Sequence, residues 1–336
     1  MTNDAARAVP KQKVTSGVGF ALVAAASFGL SGSLAKGLMD IGWSAGSAVL
    51  LRVTIAALVL AIPGALALKG RWHLLIRSAG SIAAYGLFAV AGAQLFYFMA
   101  VQTLDVSIAM LIEYLAPVAV VMWLWLRTGH KPTRLTGIGA AIAAVGLVLL
   151  INVFGGVQIS LVGIAWALAA MVGATVYFII SGDASNPLPP ISLAAAGLMV
   201  AAVVLGVAAA SGLLPMGFAG GDVQFAPFAM PVWLVVVMLG VVTAAIAYVA
   251  GIAATRRLGA RLGSFVALTE VLAAAIFAWM LLGQAPAPIQ LLGAALMLAG
   301  VIVVKLGEPA EPALESLTVE PLPADPLEGT PERIPA

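Results

Sequence analysis

Four ionisable residues, Lys36, Arg52, Glu113 and Glu270, lie inside long apolar stretches of this chain. An ionisable group at mid-bilayer costs roughly 2.5–3.5 kcal/mol or more, so such residues read as functional by default. Their types suit recognition of both signs of charge. A carboxylate group can meet Arg52 or Lys36, and an ammonium group can meet Glu113. A purely structural reading stands beside this one. Arg52 and Glu113 would form a buried ion pair locking two helices, Glu270 would be satisfied by Thr269 or Ser264, and Lys36 would anchor at an interface.

Bond-breaking chemistry finds little support. The two histidines, His73 and His130, lie among cations in polar gaps. No serine has a histidine or a clear lysine base at catalytic spacing, and no HExxH motif or phosphate-binding glycine loop exists. Zero cysteines exclude disulfides and thiolate metal sites. The expectation is a protein that is not an enzyme, with no cofactor, no metal and no nucleic-acid partner.

The elements that must position the four residues follow from composition. With 62% hydrophobic and 9% charged residues, the chain falls far below the about 25% charge of soluble domains. Ten apolar segments can be drawn near 17–39, 44–68, 76–102, 106–126, 135–152, 158–181, 190–212, 230–255, 262–283 and 287–305. Each is long enough, or nearly so, to span a bilayer as a helix. The fold class expected is all-α: a polytopic membrane protein of ten transmembrane helices.

Cations fix its orientation. Of sixteen Lys and Arg residues, all but Lys36 and Arg52 fall in alternate gaps or at the termini. These gaps carry Lys69, Arg71 and Arg77, then Arg127, Lys131 and Arg134, then Arg256, Arg257 and Arg261; the gap near Asp183 lacks its cations. The intervening gaps hold only Asp40, Asp105 and Asp222 or nothing. By the positive-inside rule both termini are expected in the cytoplasm.

The chain also repeats. GAAIAAVG at 139–146 recurs as GAALMLAG at 293–300, and LIEYLAP around Glu113 is echoed by LTEVLAA around Glu270. Each half then holds five helices, and an odd number inverts the second half, giving a pseudo-two-fold axis in the membrane plane. Expected domains are a cytoplasmic segment 1–16, a first repeat 17–152, a second repeat 158–305, and a tail 306–336. That tail carries seven acids against Arg333 alone, with seven prolines, and reads as a solvated, disordered acidic segment. The run containing Ala24-Ala25-Ala26 continues to Met39, so it reads as a span and not as a cleaved signal peptide.

Depth follows from 1.5 Å per residue. Arg52 and Glu113 both lie roughly 12 Å below the outer surface. Gln94, counted back from the end of the third segment, reaches the same level, and so does Trp166 in the sixth. Lys36 sits about one turn from the end of the first. Tyr97, Tyr114 and Tyr177 read as packing or as ligand wall, packing being the commoner role. GLSGS at 29–33 reads as close helix packing, with an unwound spot as the alternative. Pro117 has no N–H for the carbonyl four residues back, which belongs to Glu113. Ala274 occupies the equivalent place after Glu270, so no such gap is expected there. The two glutamates are expected in opposite halves of the membrane.

These features resemble the drug/metabolite transporter superfamily, in its ten-helix branch of EamA domains, over about residues 16–306. SGSLAKGLM at 31–39, VLLRVTIAALVL at 49–60, LFYFMAVQTLDVSIAMLIEYLAPVAV at 95–120 and APIQLLGAALMLAG at 287–300 are similar to threonine/homoserine exporters. The resemblance implies a basket of helices around a central cavity in a bacterial inner membrane. It implies secondary export of amino acids or other small metabolites, and carries over Lys36, Arg52, Gln94, Tyr97, Glu113, Pro117 and Glu270. Its partners would be a small-molecule substrate and the lipid bilayer, with protons a candidate coupling ion and a homodimer a candidate assembly. The alternatives are a facilitated permease for another metabolite or drug, and a non-transporting membrane scaffold.

Overall fold

Apolar residues on every side and no water to bond the backbone leave a helix as the stable form for each segment. A computed structural model describes residues 11–128, 133–150, 160–181, 186–251, 253–254, 257 and 269–307. The tail from residue 308 on, the first ten residues, and Lys131, Arg256 and Arg261 lie outside them. Among the described residues, six helices are long and apolar enough to cross a membrane: Ser16–Asp40, Ala45–Leu68, Ala79–Val101, Leu161–Ser181, Pro190–Ala210 and Val232–Gly251. The chain is a multi-pass membrane protein.

In chain order, α1 (Lys11–Asp40) is followed by α2 (Ala45–Leu68), which starts on the Ser44 cap and ends at Lys69 in a left-handed conformation, φ 49°. Short α3 (His73–Arg77) leads to α4 (Ala79–Ala84), which passes through a π-helix, Tyr85–Gly92, into α5 (Ala93–Val101). Then come α6 (Val106–Glu113), α7 (Ala116–Thr128) and α8 (Arg134–Leu150). The second half holds α9 (Leu161–Ser181), α10 (Pro190–Ala210), α11 (Val232–Gly240) with a second π-helix, Val241–Ile246, then α12 (Thr269–Leu282) and α13 (Pro288–Gly307).

Two expectations change here. The fourth segment is two helices, not one: α6 stops at Glu113 and α7 restarts at Ala116. Pro117 is the physical reason, since it cannot donate to the Glu113 carbonyl. The equivalent stretch, with Ala274, runs unbroken through α12. The chain is also not wholly helical. Strands β1 (Asp222–Gln224) and β2 (Ala229–Pro231) pair antiparallel, with Val223 opposite Met230.

The ribbon lies at the end of the bundle that carries Asp40 and Gln284, here the acidic end. There Trp43 Nε1 donates to the Ala219 carbonyl at 2.8 Å, Ala226 N to the Leu281 carbonyl at 2.7 Å, and Val106 N to Gln284 Oε1 at 3.1 Å. Gly37 of α1 sits so near the ribbon that a Cβ would come within 2.7 Å of Phe225. The opposite, basic end carries Lys69, Arg77 and Arg134.

Packing relates the two halves reciprocally. In the α8–α13 crossing, a Cβ on Gly146 would lie 2.4 Å from Met297 N and 2.7 Å from the Gly293 carbonyl. A Cβ on Gly300 would lie 2.4 Å from Ala143 N and 2.6 Å from the Gly139 carbonyl. Gly139 and Gly293 are 154 positions apart, as are Ala143 and Met297, and Gly146 and Gly300. The same spacing relates Gly86, which packs on Val200 of α10, to Gly240, which packs on Ile55 of α2. It also relates the last residues of the two π-helices, Gly92 and Ile246. Such i-to-j, j-to-i contacts are what a two-fold relation produces.

The crossing is a place where a side chain has no room. Gly146→Leu is expected to cost about 1–3 kcal/mol by overpacking. Thermal melts in detergent would show it, and a melting temperature equal to the parent's would contradict the close approach.

Candidate functional site

The broken fourth segment, the π-containing third and eighth, and α1, α2, α9 and α12 surround one cavity of about 210 Å³. Its wall includes Arg52, Gln94, Tyr97, Glu113 and Glu270, five of the residues singled out by type and depth. Pro117 lies in the first turn of α7, just after the break that ends α6 at Glu113. The wall runs on to Ser181, the last residue of α9, and to Ala254, so the cavity extends towards the basic end.

Arg52 is 3% exposed. Its Nη2 donates to the Thr243 carbonyl at 2.8 Å, and its guanidinium lies 5.4 Å from the centre of the Phe98 ring. Thr243 belongs to the second π-helix, and π-segments are frequent at functional sites. Gln94 Nε2 donates to the Tyr248 hydroxyl at 2.9 Å, joining the helices that follow the two π-segments. The Tyr114 hydroxyl, from the break in the fourth segment, donates to Glu270 Oε2.

Three polar atoms on this wall are buried without a partner: Arg52 Nε, Gln94 Oε1 and the Tyr97 hydroxyl. An unmade hydrogen bond at such a site costs about 1–3 kcal/mol. The residues that carry these atoms line the cavity together with Glu113 as a carboxylate and several aromatic rings, and the three unpartnered atoms lie just behind its surface. A small molecule bearing a cationic group and a hydrogen-bonding or anionic group has partners for both.

Several sequence expectations are corrected. The ion pair between Arg52 and Glu113 does not form; among the described residues the one ion pair is Lys36 Nζ to Asp40 Oδ1, at 2.6 Å. Lys36 is thereby held at the acidic end, off the cavity wall, because Asp40 stands four residues on along the same helix. Trp166 lies outside the wall too, stacked on Phe96 with centroids 5.4 Å apart. It has the expected depth on the wrong side of α9. Gly32 is not an unwound spot, since α1 is continuous; a Cβ there would be 2.2 Å from the Tyr97 hydroxyl. The two glutamates share one cavity.

Tyr248 is a wall residue that depth counting missed. The 154-residue spacing points to it, because it is the image of Gln94. Tyr114 and Tyr177 also line the cavity.

Comparison with known proteins follows this geometry. A sequence profile of the EamA-like transporter family matches residues 15–152 and 161–306. No curated protein matches. Among solved structures, one described only as "Crystal structure of protein" is similar at 22% identity and a TM-score of 0.57, covering 86% of this chain and 96% of that one. At that identity the likeness concerns the fold alone.

Proposed function

This chain belongs to the EamA-like transporter family, and from that premise we propose that it exports amino acids or similar small polar metabolites by alternating access. Membership makes it a membrane transporter of small metabolites or drugs; the substrate class and mechanism are our reading. The observation that carries it is the single cavity lined by two carboxylates and a guanidinium, with three unpartnered polar atoms. A zwitterion suits that wall: an ammonium at Glu113, a carboxylate near Arg52.

The same reading takes the fold as ten spans in two inverted repeats, in a bacterial inner membrane, with both termini in the cytoplasm. The reciprocal glycine contacts support inversion, and the cation-bearing gaps support the orientation. The cavity then faces the cytoplasm, where an exporter takes up its substrate. No chemical conversion is assigned to the protein.

Counterflow of labelled amino acids, nucleosides and sugars in proteoliposomes tests this. Exchange of an amino acid is expected; flux of none of the three classes overturns the transporter reading in this form. Deleting residues 309–336 is expected to leave the rate within about twofold, since an acidic, proline-rich segment cannot join a membrane bundle. A truncated protein that reaches the membrane and moves nothing points instead to a scaffold acting through that tail.

A further inference from the structure

Among the described residues, Gln94 to Tyr248 and Tyr114 to Glu270 are hydrogen bonds with both partners on the cavity wall, one in each half, and they differ in kind under the two-fold relation. In a pair of inverted repeats, the state facing the other way is the same arrangement with the roles of the repeats exchanged. Each contact between the halves must then be replaced by its image. Gln94 and Tyr248 are images of each other, 154 positions apart like Gly139 and Gly293, so their bond maps onto itself. It can persist through the exchange as a pivot.

The bond from Tyr114 to Glu270 cannot. LIEYLAP and LTEVLAA align Glu113 with Glu270 and Tyr114 with Val271, 157 positions apart against 154 for the glycines; at the glycine spacing Tyr114 would meet Leu268, which also lacks a hydroxyl. Its image would therefore run from Val271 to Glu113, and valine has no hydroxyl. Tyr114 itself sits in the two-residue break between α6 and α7, which Pro117 makes and Ala274 does not reproduce. Tyr114 and the break belong to the first repeat alone, and the carboxylate that Tyr114 holds belongs to the second.

We propose that Tyr114 is a positioning residue that holds the Glu270 carboxylate while the cavity faces the basic end, and that exchange of the repeats frees Glu270 without giving Glu113 an equivalent partner. Glu113 alone then meets a cationic group in the present state, and both carboxylates are open to one in the other. The bond also favours the present state, because the other has nothing to replace it. This rests on the alternating-access reading above.

The absence of native cysteine makes single-cysteine labelling clean. Val106 is fully buried at the acidic end, packed where a Cβ on Gly32 would come within 2.5 Å of it. Val106→Cys should react slowly with a maleimide in nanodiscs, where reagent reaches both faces. Adding Tyr114→Phe should speed that reaction by about 5- to 150-fold, the range of typical coupling between states. A second comparison does not depend on Tyr114: Val271→Tyr supplies the missing image hydroxyl, and Val271→Phe supplies the same bulk without it. The tyrosine variant should label faster than the phenylalanine variant. Equal rates in both comparisons overturn the proposal whatever the counterflow screen returns, and a blank screen overturns the transporter reading whatever the labelling does.

Discussion

Glu113→Gln is expected to abolish substrate flux in purified protein that melts no lower than its parent. The substitution keeps the shape of the side chain and removes its charge. A carboxylate at bilayer depth is a cost to the fold, since no ion pair offsets it among the described residues. Losing the charge should therefore leave stability equal or higher. Binding should suffer, because a substrate ammonium buried against glutamine has lost its counter-charge. Removing one partner of such a pair costs about 2–5 kcal/mol, which is about 30-fold to a few thousand-fold in affinity at 1.4 kcal/mol per tenfold. Wild-type flux in the variant would remove Glu113 from the binding site. Lost flux together with a lowered melting temperature would make it a structural residue instead.

The second large effect concerns energy coupling. Proteoliposomes with an imposed pH gradient, clamped at zero membrane potential, should accumulate a confirmed substrate on the acidic side. Proton movement down its gradient would then drive substrate the opposite way, through two carboxylates that share one cavity. One pH unit supplies about 1.36 kcal/mol, so exchange of one proton per substrate would hold an accumulation of about tenfold. Equilibration without accumulation means facilitated export. Accumulation that survives Glu113→Gln and Glu270→Gln together would place the proton path elsewhere.

Arg52 and Glu113 were legible because an ionisable side chain in an apolar run is conspicuous, and because depth along a helix can be counted from its end. Counting gives a level but no azimuth. Each residue turns the face by about 100°, so Trp166 had the right height and faced Phe96 instead of the cavity. Lys36 failed for a local reason that the chain did contain, an aspartate four residues away. The break after Glu113 could be read from Pro117, since the missing donor is a covalent fact. The π-segments could not, because Tyr85–Gly92 and Val241–Ile246 hold the same small and apolar residues as their α-helical neighbours. Tyr248 was within reach only by carrying the glycine-string spacing back to Gln94.

The crossing of α8 and α13 has a consequence for how the molecule is made. Gly139 and Gly146 pack against α13, and Gly307, its last residue, is synthesised 157 residues after Leu150. At about 5–20 residues per second, that interval is roughly 8–30 s. Until α13 is made, the glycine face of α8 lacks the helix it packs against in the finished fold. Birth order thus makes the final helix the keystone of the first half as well as the second. A ribosome that stalls after residue 150 leaves behind a fragment whose α8 glycine face is still open to the wrong neighbour.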